Sequence, residues 1–528
     1  MRPLFYLLLC TSVSAFAQMP PYGGKLKPEQ ANMDIQHYTI ALTIEIPGKA
    51  ISGYTDISFI LKQPANVLLF DLMDSLHIQK VWVNDKAIPF IHDSNLLRIS
   101  SPTSFPPGNM VVKVEYAGRP IIAKRPPWDD GFTFTKDSSG HPWVAITAEG
   151  TGGKLYFPCK DHPSDEPDKG VDMIITVPAG LVVAGPGLLL QTTTHNHLST
   201  FHWQTKYTIN NYSIIFNVGD YTVVNRTYTT INGNKVPMQF YVLKDDSAKA
   251  PHHLELLEKM AHIKEKYFGE YPWVKEKIGL VETPHLGMEH QTMNAYGNKF
   301  RYTKVGGEDF DGLMNHEFGH EWWGNKVTAK DWADYWIHEG INSFGDVLYI
   351  RDMEGEEAYE KTFQKFLPGI KNEKPVVLGK DIEEEQAYQD DIYVKGAFFM
   401  HTLRYMLGDD VFFPAIKKLC TDSMYTYNNL IGSADVEQLF SKASGADLSQ
   451  LFRMYLYTTE KLSVHVQQTG LGQYMIKLDN IDMALPFEVT TNTGTERKVI
   501  DKKGITINST TLPLIDTRTF YFKRVVYE

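Results

Sequence analysis

The sequence predicts a multidomain chain of mixed α and β structure: an all-β N-terminal domain, an α+β middle and a small C-terminal β-sandwich. Three observations carry that expectation. At 528 residues the chain is too long for one hydrophobic core. Apolar residues recur with period two through the first half, and near residue 250 the period becomes that of a helix. After Lys461 it returns to two. The expected boundaries are 1–17 for a leader, 18–243, 244–455 and 456–528.

In the first domain Tyr38, Ile40, Leu42, Ile44 and Ile46 alternate with polar or small residues, the pattern of a strand with one buried face. Similar short strands are expected at 51–61, 111–118, 171–177 and 212–224, separated by Gly, Pro, Asn and Asp clusters. The stretch "KRPPWDDGFTFTKDSSGHPW" (124–143) is rich in turn formers and reads as a loop over or beside a site. In the middle, Leu256, Met260, Ile263 and Tyr267 fall on one helical face, between Pro251 and Gly269. Further helices are expected around 309–325, 334–352, 393–407 and 434–455. The segments "LSVHVQQ" and "TFYFKRVVYE" supply strands to the last domain.

Composition narrows the function. Apolar residues make up 43% of the chain and charged residues 22%, as in a folded soluble protein. The net charge of -11, with no basic run to reverse it locally, argues against a nucleic-acid surface. The opening "MRPLFYLLLCTSVSAFAQ" has a basic start, a short apolar run and small residues at Ala15 and Ala17, so it reads as a signal peptide cleaved before Gln18. A lipid anchor at Cys10 fits less well, because its apolar stretch would be unusually short. The mature chain is expected to be periplasmic or secreted, with no transmembrane segment. Cys159 and Cys420 then permit one disulfide at most, and two unpaired buried thiols are an equal alternative.

The chemistry centres on "LMNHEFGHEWWGNK" (313–326). His316 and His320, four apart, project from one face of a helix and can share one ion, with Glu317 beside that face. A catalytic zinc needs a third protein ligand and keeps one position open. Downstream, "DYWIHEGINSFGD" offers Glu339; His338 competes for the metal, although adjacent helical positions point about 100° apart, so only one of the two can face it. Asp346, two turns after Glu339, can accept the second N–H of a ligand histidine or stand in solvent as a surface carboxylate. Glu317 is placed to take a proton from metal-activated water. The absence of Cys from this region argues against a closed structural site.

"HEFGHEWWGN" followed by "WIHEG" closely resembles the gluzincin family of zinc aminopeptidases that includes alanyl, leucyl and membrane aminopeptidases and leukotriene hydrolase. That family's pattern is H-E-x-x-H with a Glu after eighteen further residues, the interval between His320 and Glu339 here. The resemblance extends to "FGEYPWVKEKIGLVETPHLGMEHQTM" (268–293), similar to the stretch ending in the family's G-x-M-E-N motif, and to "IYVKGAFFMHTLR" (392–404). "LYFPCKDHPSDEPDK" (155–169) looks like the β-domain stretch the family places beside its substrate.

The resemblance implies a thermolysin-like middle domain holding one zinc through His316, His320 and Glu339, with Glu317 as base and Tyr393 stabilising the oxyanion. It implies that Glu289, and Glu149 in "AEGTGG", hold the free α-amine of a peptide substrate, with Gly287 and Met288 lining the pocket beside them. The chain departs from the family at Leu286 and His290, which flank "GME", and at His338, where Asn is common. Ending at Glu528, it is expected to have no large C-terminal helical domain. The resulting expectation is a secreted zinc aminopeptidase acting on peptides with a free N-terminus. The alternatives are the same centre used as an endopeptidase or epoxide hydrolase, or a non-catalytic secreted binding protein. Oligomeric state and side-chain preference are not legible at this level.

Overall fold

The computed structural model describes residues 22–150 and 152–528. The expected leader, its cleavage point before Gln18 and the weaker anchor at Cys10 lie outside the described residues. The fold is multidomain and mixed: a β-rich N-terminal part, a central α+β domain and a C-terminal β domain.

Strand Met33–Glu45 lies in the middle of an eight-stranded sheet, antiparallel to Ala50–Leu61 and parallel to Val171–Pro178. Its alternation is realised as packing, since Tyr38, Ile40, Leu42 and Ile44 are all buried. A three-stranded sheet and a four-stranded sheet complete this part. The four-stranded sheet joins Gly131–Lys136 and Pro142–Thr147 as a hairpin, so the second half of the expected loop 124–143 is strand. Turn formers there mark the ends of the hairpin, which alternation over so short a run does not reveal.

The central sheet has five strands in the order Tyr221–Thr229, Lys235–Leu243, Ile278–Glu282, Asn294–Tyr296, Gly287–Met288. Its first two strands fall before residue 244, on the N-terminal side of the expected boundary. Period two reports a strand but not the sheet it joins, and Lys235–Leu243 pairs in parallel with Ile278–Glu282. The expected strand 212–224 is likewise divided into a 3₁₀ turn at Asn211–Ser213, a short strand Asn217–Gly219 and the start of Tyr221–Thr229.

Helix Ala250–Phe268 buries Leu256, Met260, Ile263 and Tyr267, as its spacing predicts, and stops at Gly269. The helix expected over 309–325 is only Gly312–Gly319. The one expected over 434–455 is two helices, Ser433–Ser444 and Ser449–Leu456, broken where Gly445 takes φ 68°. Helices Glu356–Phe366 and Asp409–Thr421 are additional. The C-terminal part stacks a four-stranded sheet, which includes Leu462–Gly470 and Lys523–Tyr527, with a three-stranded one. Cys159 and Cys420 are both buried and free.

Candidate metal centre and cleft

Helix Gly312–Gly319 begins at Asp311, whose carboxylate accepts the Met314 N–H at 3.2 Å. It ends where the chain must turn beneath a neighbour. A Cβ on Gly319 would lie 2.0 Å from Asn342 Oδ1 and 2.6 Å from Lys264 Nζ, so glycine allows helix Trp336–Glu354 to approach. That approach brings Glu339 to the histidines. His316 Nε2 and His320 Nε2 are 3.2 Å apart, and Glu339 Oε2 lies 3.3 and 3.5 Å from them.

These three atoms fit one zinc ion. Ligands about 2.0–2.1 Å from a tetrahedral ion stand roughly 3.3 Å from one another, and Glu339 Oε2 is buried without a hydrogen-bond partner. The remaining imidazole nitrogens are engaged, His316 Nδ1 with Asp346 Oδ2 at 2.7 Å and His320 Nδ1 with the Trp323 carbonyl at 2.8 Å. Each contact leaves the Nε2 lone pair turned toward the third ligand. Asp346 is therefore not a solvated surface carboxylate; it also accepts from Asn315 Nδ2 at 2.6 Å and pairs with the buried Lys264 at 3.5 Å. His338 stands outside the cluster of His316, His320 and Glu339, and its Nε2 accepts the Ala329 N–H at 2.9 Å.

Glu317 stands over Gly287. A Cβ there would fall 2.6 Å from Glu317 Oε1, so the glycine leaves room for the carboxylate. Burial pushes Glu317 up to about 8, opposed by His316 and His320 and reinforced by Glu289; a bound cation would draw it down. Tyr393 comes from helix Asp390–Leu407, its ring 6.2 Å from that of His316 and its hydroxyl donating to Tyr388 Oη at 3.3 Å. Burial holds the Tyr393 hydroxyl well above the usual phenol range, so it is a donor at neutral pH.

Glu289 is buried, and Asn325 Nδ2 donates to its carbonyl at 2.8 Å. Glu149 follows strand Pro142–Thr147; its N–H donates to Asp130 Oδ1 at 3.2 Å, while its Oε1 is buried without a partner. Burial raises Glu149 first and the charge of Glu289 second, and both residues line the same cleft. His290, one of the departures, ties the two sides together by donating from Nε2 to the Ala148 carbonyl at 3.2 Å.

All of the expected site residues except Asp346 line one cleft of about 540 Å³. The stretch 155–169 does not. It is largely buried behind the cleft, where Lys160 pairs with Asp165 at 2.6 Å and Glu166 accepts from Thr208 Oγ1 at 2.8 Å. Arg125, Trp128 and Asp130, from the first half of the expected loop 124–143, do line the cleft. Sequence reasoning missed Tyr388, Glu384 and Glu385 on the wall. It also missed Glu321, whose carboxylate accepts from Trp273 Nε1 at 2.6 Å and from the Thr292 N–H at 2.9 Å, holding the loop after Glu289. A glutamate beside two tryptophans was the available signal for Glu321.

Two ligand histidines on one short helix and a glutamate on the next define a gluzincin-type metal centre. Residues 253–455 match the Peptidase family M1 domain. It is 21% identical to the leucyl aminopeptidase of Saccharolobus solfataricus over 512 residues, covering 90% of this chain and 60% of that protein. It is 25% identical to the aminopeptidase N of Escherichia coli over 272 residues, covering 48% and 30%. The chain therefore spans less than two thirds of the length of these relatives. An M1 zinc metallopeptidase of Deinococcus radiodurans, solved as a mutant with a Tyr-Ser-Ala substrate, shares the fold with a TM-score of 0.69 at 22% identity, over 82% of this chain and 95% of that one.

Proposed function

We propose that the protein is a zinc aminopeptidase, exported to the periplasm or beyond, that removes single N-terminal residues from peptides. One relationship carries the reading: the buried carboxylates of Glu289 and Glu149 share a cleft with the His316, His320 and Glu339 donors. A pair of fixed acids demands an ammonium group, and only a chain end supplies one next to the bond to be cut.

When bound, zinc would lower the pKa of water and polarise the substrate carbonyl. Glu317 accepts the proton of the attacking water and returns it to the leaving amine. Tyr393 donates its hydroxyl hydrogen to the carbonyl oxygen as charge develops there. Glu289 and Glu149 hold the α-amine and so set the cut after the first residue. Asp346 and the Trp323 carbonyl keep the ligand histidines oriented.

Use of the centre as an endopeptidase is disfavoured by the two acids, which close the cleft to a neutral peptide bond on that side. The wall of the cleft is too charged to favour a lipid epoxide. Export rests on the leader pattern alone; among the described residues no helix is long and apolar enough to cross a membrane. The test is metal content against turnover. The reading requires one zinc per chain, loss of peptide hydrolysis on chelation with recovery on adding zinc, and a Glu317→Gln variant that keeps zinc but loses turnover. A chelated enzyme that still hydrolyses peptides would refute it.

A further inference from the structure

Position 290 carries a departure from the family pattern that the reaction leaves without a use. Where the family's G-x-M-E-N motif ends in Asn, the chain has a histidine directly after the amine anchor Glu289. The ring is fully buried, and its Nε2 donates to the Ala148 carbonyl at 3.2 Å. Ala148 directly precedes the other anchor, Glu149. One hydrogen bond therefore joins the neighbours of both carboxylates, across 142 positions of sequence.

Each end of this bond is set in a held backbone. On the catalytic side Asn325 Nδ2 donates to the Glu289 carbonyl at 2.8 Å, Asn294 Nδ2 to the His290 carbonyl at 3.1 Å, and the Thr292 N–H to Glu321 at 2.9 Å. On the other side Thr147 Oγ1 donates to the carbonyls of Asp129 and Gly131, both at 3.2 Å, and the Glu149 N–H to Asp130 Oδ1 at 3.2 Å. Strand Pro142–Thr147 also reaches the central sheet near its other end. There Trp143 Nε1 donates to Tyr221 Oη at 2.8 Å, and Tyr221 Oη to the Glu282 carbonyl at 2.9 Å. Of these two links, the one through His290 lies beside the anchors.

That placement matters because the anchors resist one another. Like-charged carboxylates repel, and after burial the charge of Glu289 is the largest influence raising Glu149. Glu149 Oε1 has no hydrogen-bond partner among the described residues to hold it against that repulsion. Until an ammonium arrives, the spacing has to come from the backbone. Burial lowers His290 to about 4, opposed by its bond to Ala148, and Nδ1 is buried without a partner, so the single proton sits on Nε2. Reach decides which residues can replace it. An asparagine amide ends at the height of Nδ1, short of Nε2, whereas a glutamine amide extends to the height of Nε2.

We infer that His290 is a positioning residue that sets the spacing of the two amine anchors, and so decides how strictly the cleft demands a free N-terminus. The inference rests on the aminopeptidase reading and adds a determinant of its specificity.

The test compares wild type with His290→Leu, His290→Asn and His290→Gln, each alone and combined with Glu149→Gln. It reads hydrolysis of leucyl coumarin amide by the zinc-loaded enzyme and calorimetric binding of L-leucine and N-acetyl-leucine. His290→Leu and His290→Asn should raise KM about tenfold with kcat and zinc content kept, and His290→Gln should restore the wild-type KM. In the Glu149→Gln background the same substitutions should add nothing to KM, because the anchor they position is gone. A KM unmoved by His290→Leu and His290→Asn, an equal rise in both backgrounds, or no recovery with His290→Gln overturns the inference. Should His290→Leu fail to fold, His290→Asn against His290→Gln decides. If wild type hydrolyses no amide, the aminopeptidase reading fails by itself, and the preference for L-leucine over N-acetyl-leucine still reads the anchors. A preference that falls in His290→Asn and returns in His290→Gln would support the inference, and one that His290→Asn leaves unchanged would overturn it.

Discussion

Gly340 and Gly396 meet backbone to backbone: a Cβ on the first would lie 2.8 Å from Gly396 Cα, and one on the second 2.9 Å from Gly340 Cα. The contact sets the separation of helices Trp336–Glu354 and Asp390–Leu407. Glu339 precedes one glycine by one residue, and Tyr393 precedes the other by three. The crossing thus places a metal ligand and a hydroxyl donor in the same cleft.

Gly396→Ala should force the two helices apart. Overpacking of this kind costs about 1–3 kcal/mol, read as a lower denaturant midpoint. Turnover should fall more than stability alone explains, because Tyr393 moves with its helix. An alanine variant with wild-type midpoint and turnover would show that the crossing does not position the site.

Asp346→Asn leaves Lys264 and His316 in place but removes the charge that both face. Loss of such a partner behind a ligand histidine typically weakens metal binding by about 10–100-fold. Competition with a calibrated chelator measures it, and unchanged zinc affinity would remove Asp346 from the account.

Tyr393→Phe removes a hydroxyl and little volume. Loss of one donor to a developing oxyanion costs about 10²–10³-fold in kcat, while KM and zinc content should change little. A matching rise in KM with kcat preserved would assign the hydroxyl to ground-state binding.

Glu166 gives a pH prediction away from the metal. Burial pushes it up to about 8 from an ordinary value of 4.5. Between those values the folded chain keeps a proton that the unfolded chain has lost, so stability falls as pH rises through this window. The slope from one such group approaches about 1.4 kcal/mol per pH unit. Glu166→Gln should flatten that part of the stability profile, measured by denaturant midpoints from about pH 5 to pH 8. An unchanged slope would mean that Glu166 ionises normally in the fold.

Much of this site is legible in the sequence because its chemistry is local. His316, Glu317 and His320 are fixed by one turn of helix, and Glu339 follows at a short interval. The roles of Glu289, Glu149 and Tyr393 became readable only through resemblance, because they come from three separate segments joined by folding. Glu384 and Tyr388 were missed because nothing in a four-residue helix and the turn after it distinguishes a cleft wall from a solvated surface. The opposite case is 155–169, which the resemblance places beside the substrate; it does not line the cleft, and there Lys160 pairs with Asp165 while Glu166 accepts from Thr208. Helix boundaries failed where Gly319 and Gly445 end elements that the apolar period alone would extend.

The central claim, that the amine anchors turn a zinc peptidase centre into an exopeptidase, is tested most directly by a mixed peptide pool offered with free or N-acetylated termini, each with and without chelator. The account predicts stepwise loss of single N-terminal residues from the free pool, abolished both by acetylation and by chelation. Chelator-sensitive internal cuts in the acetylated pool would contradict it.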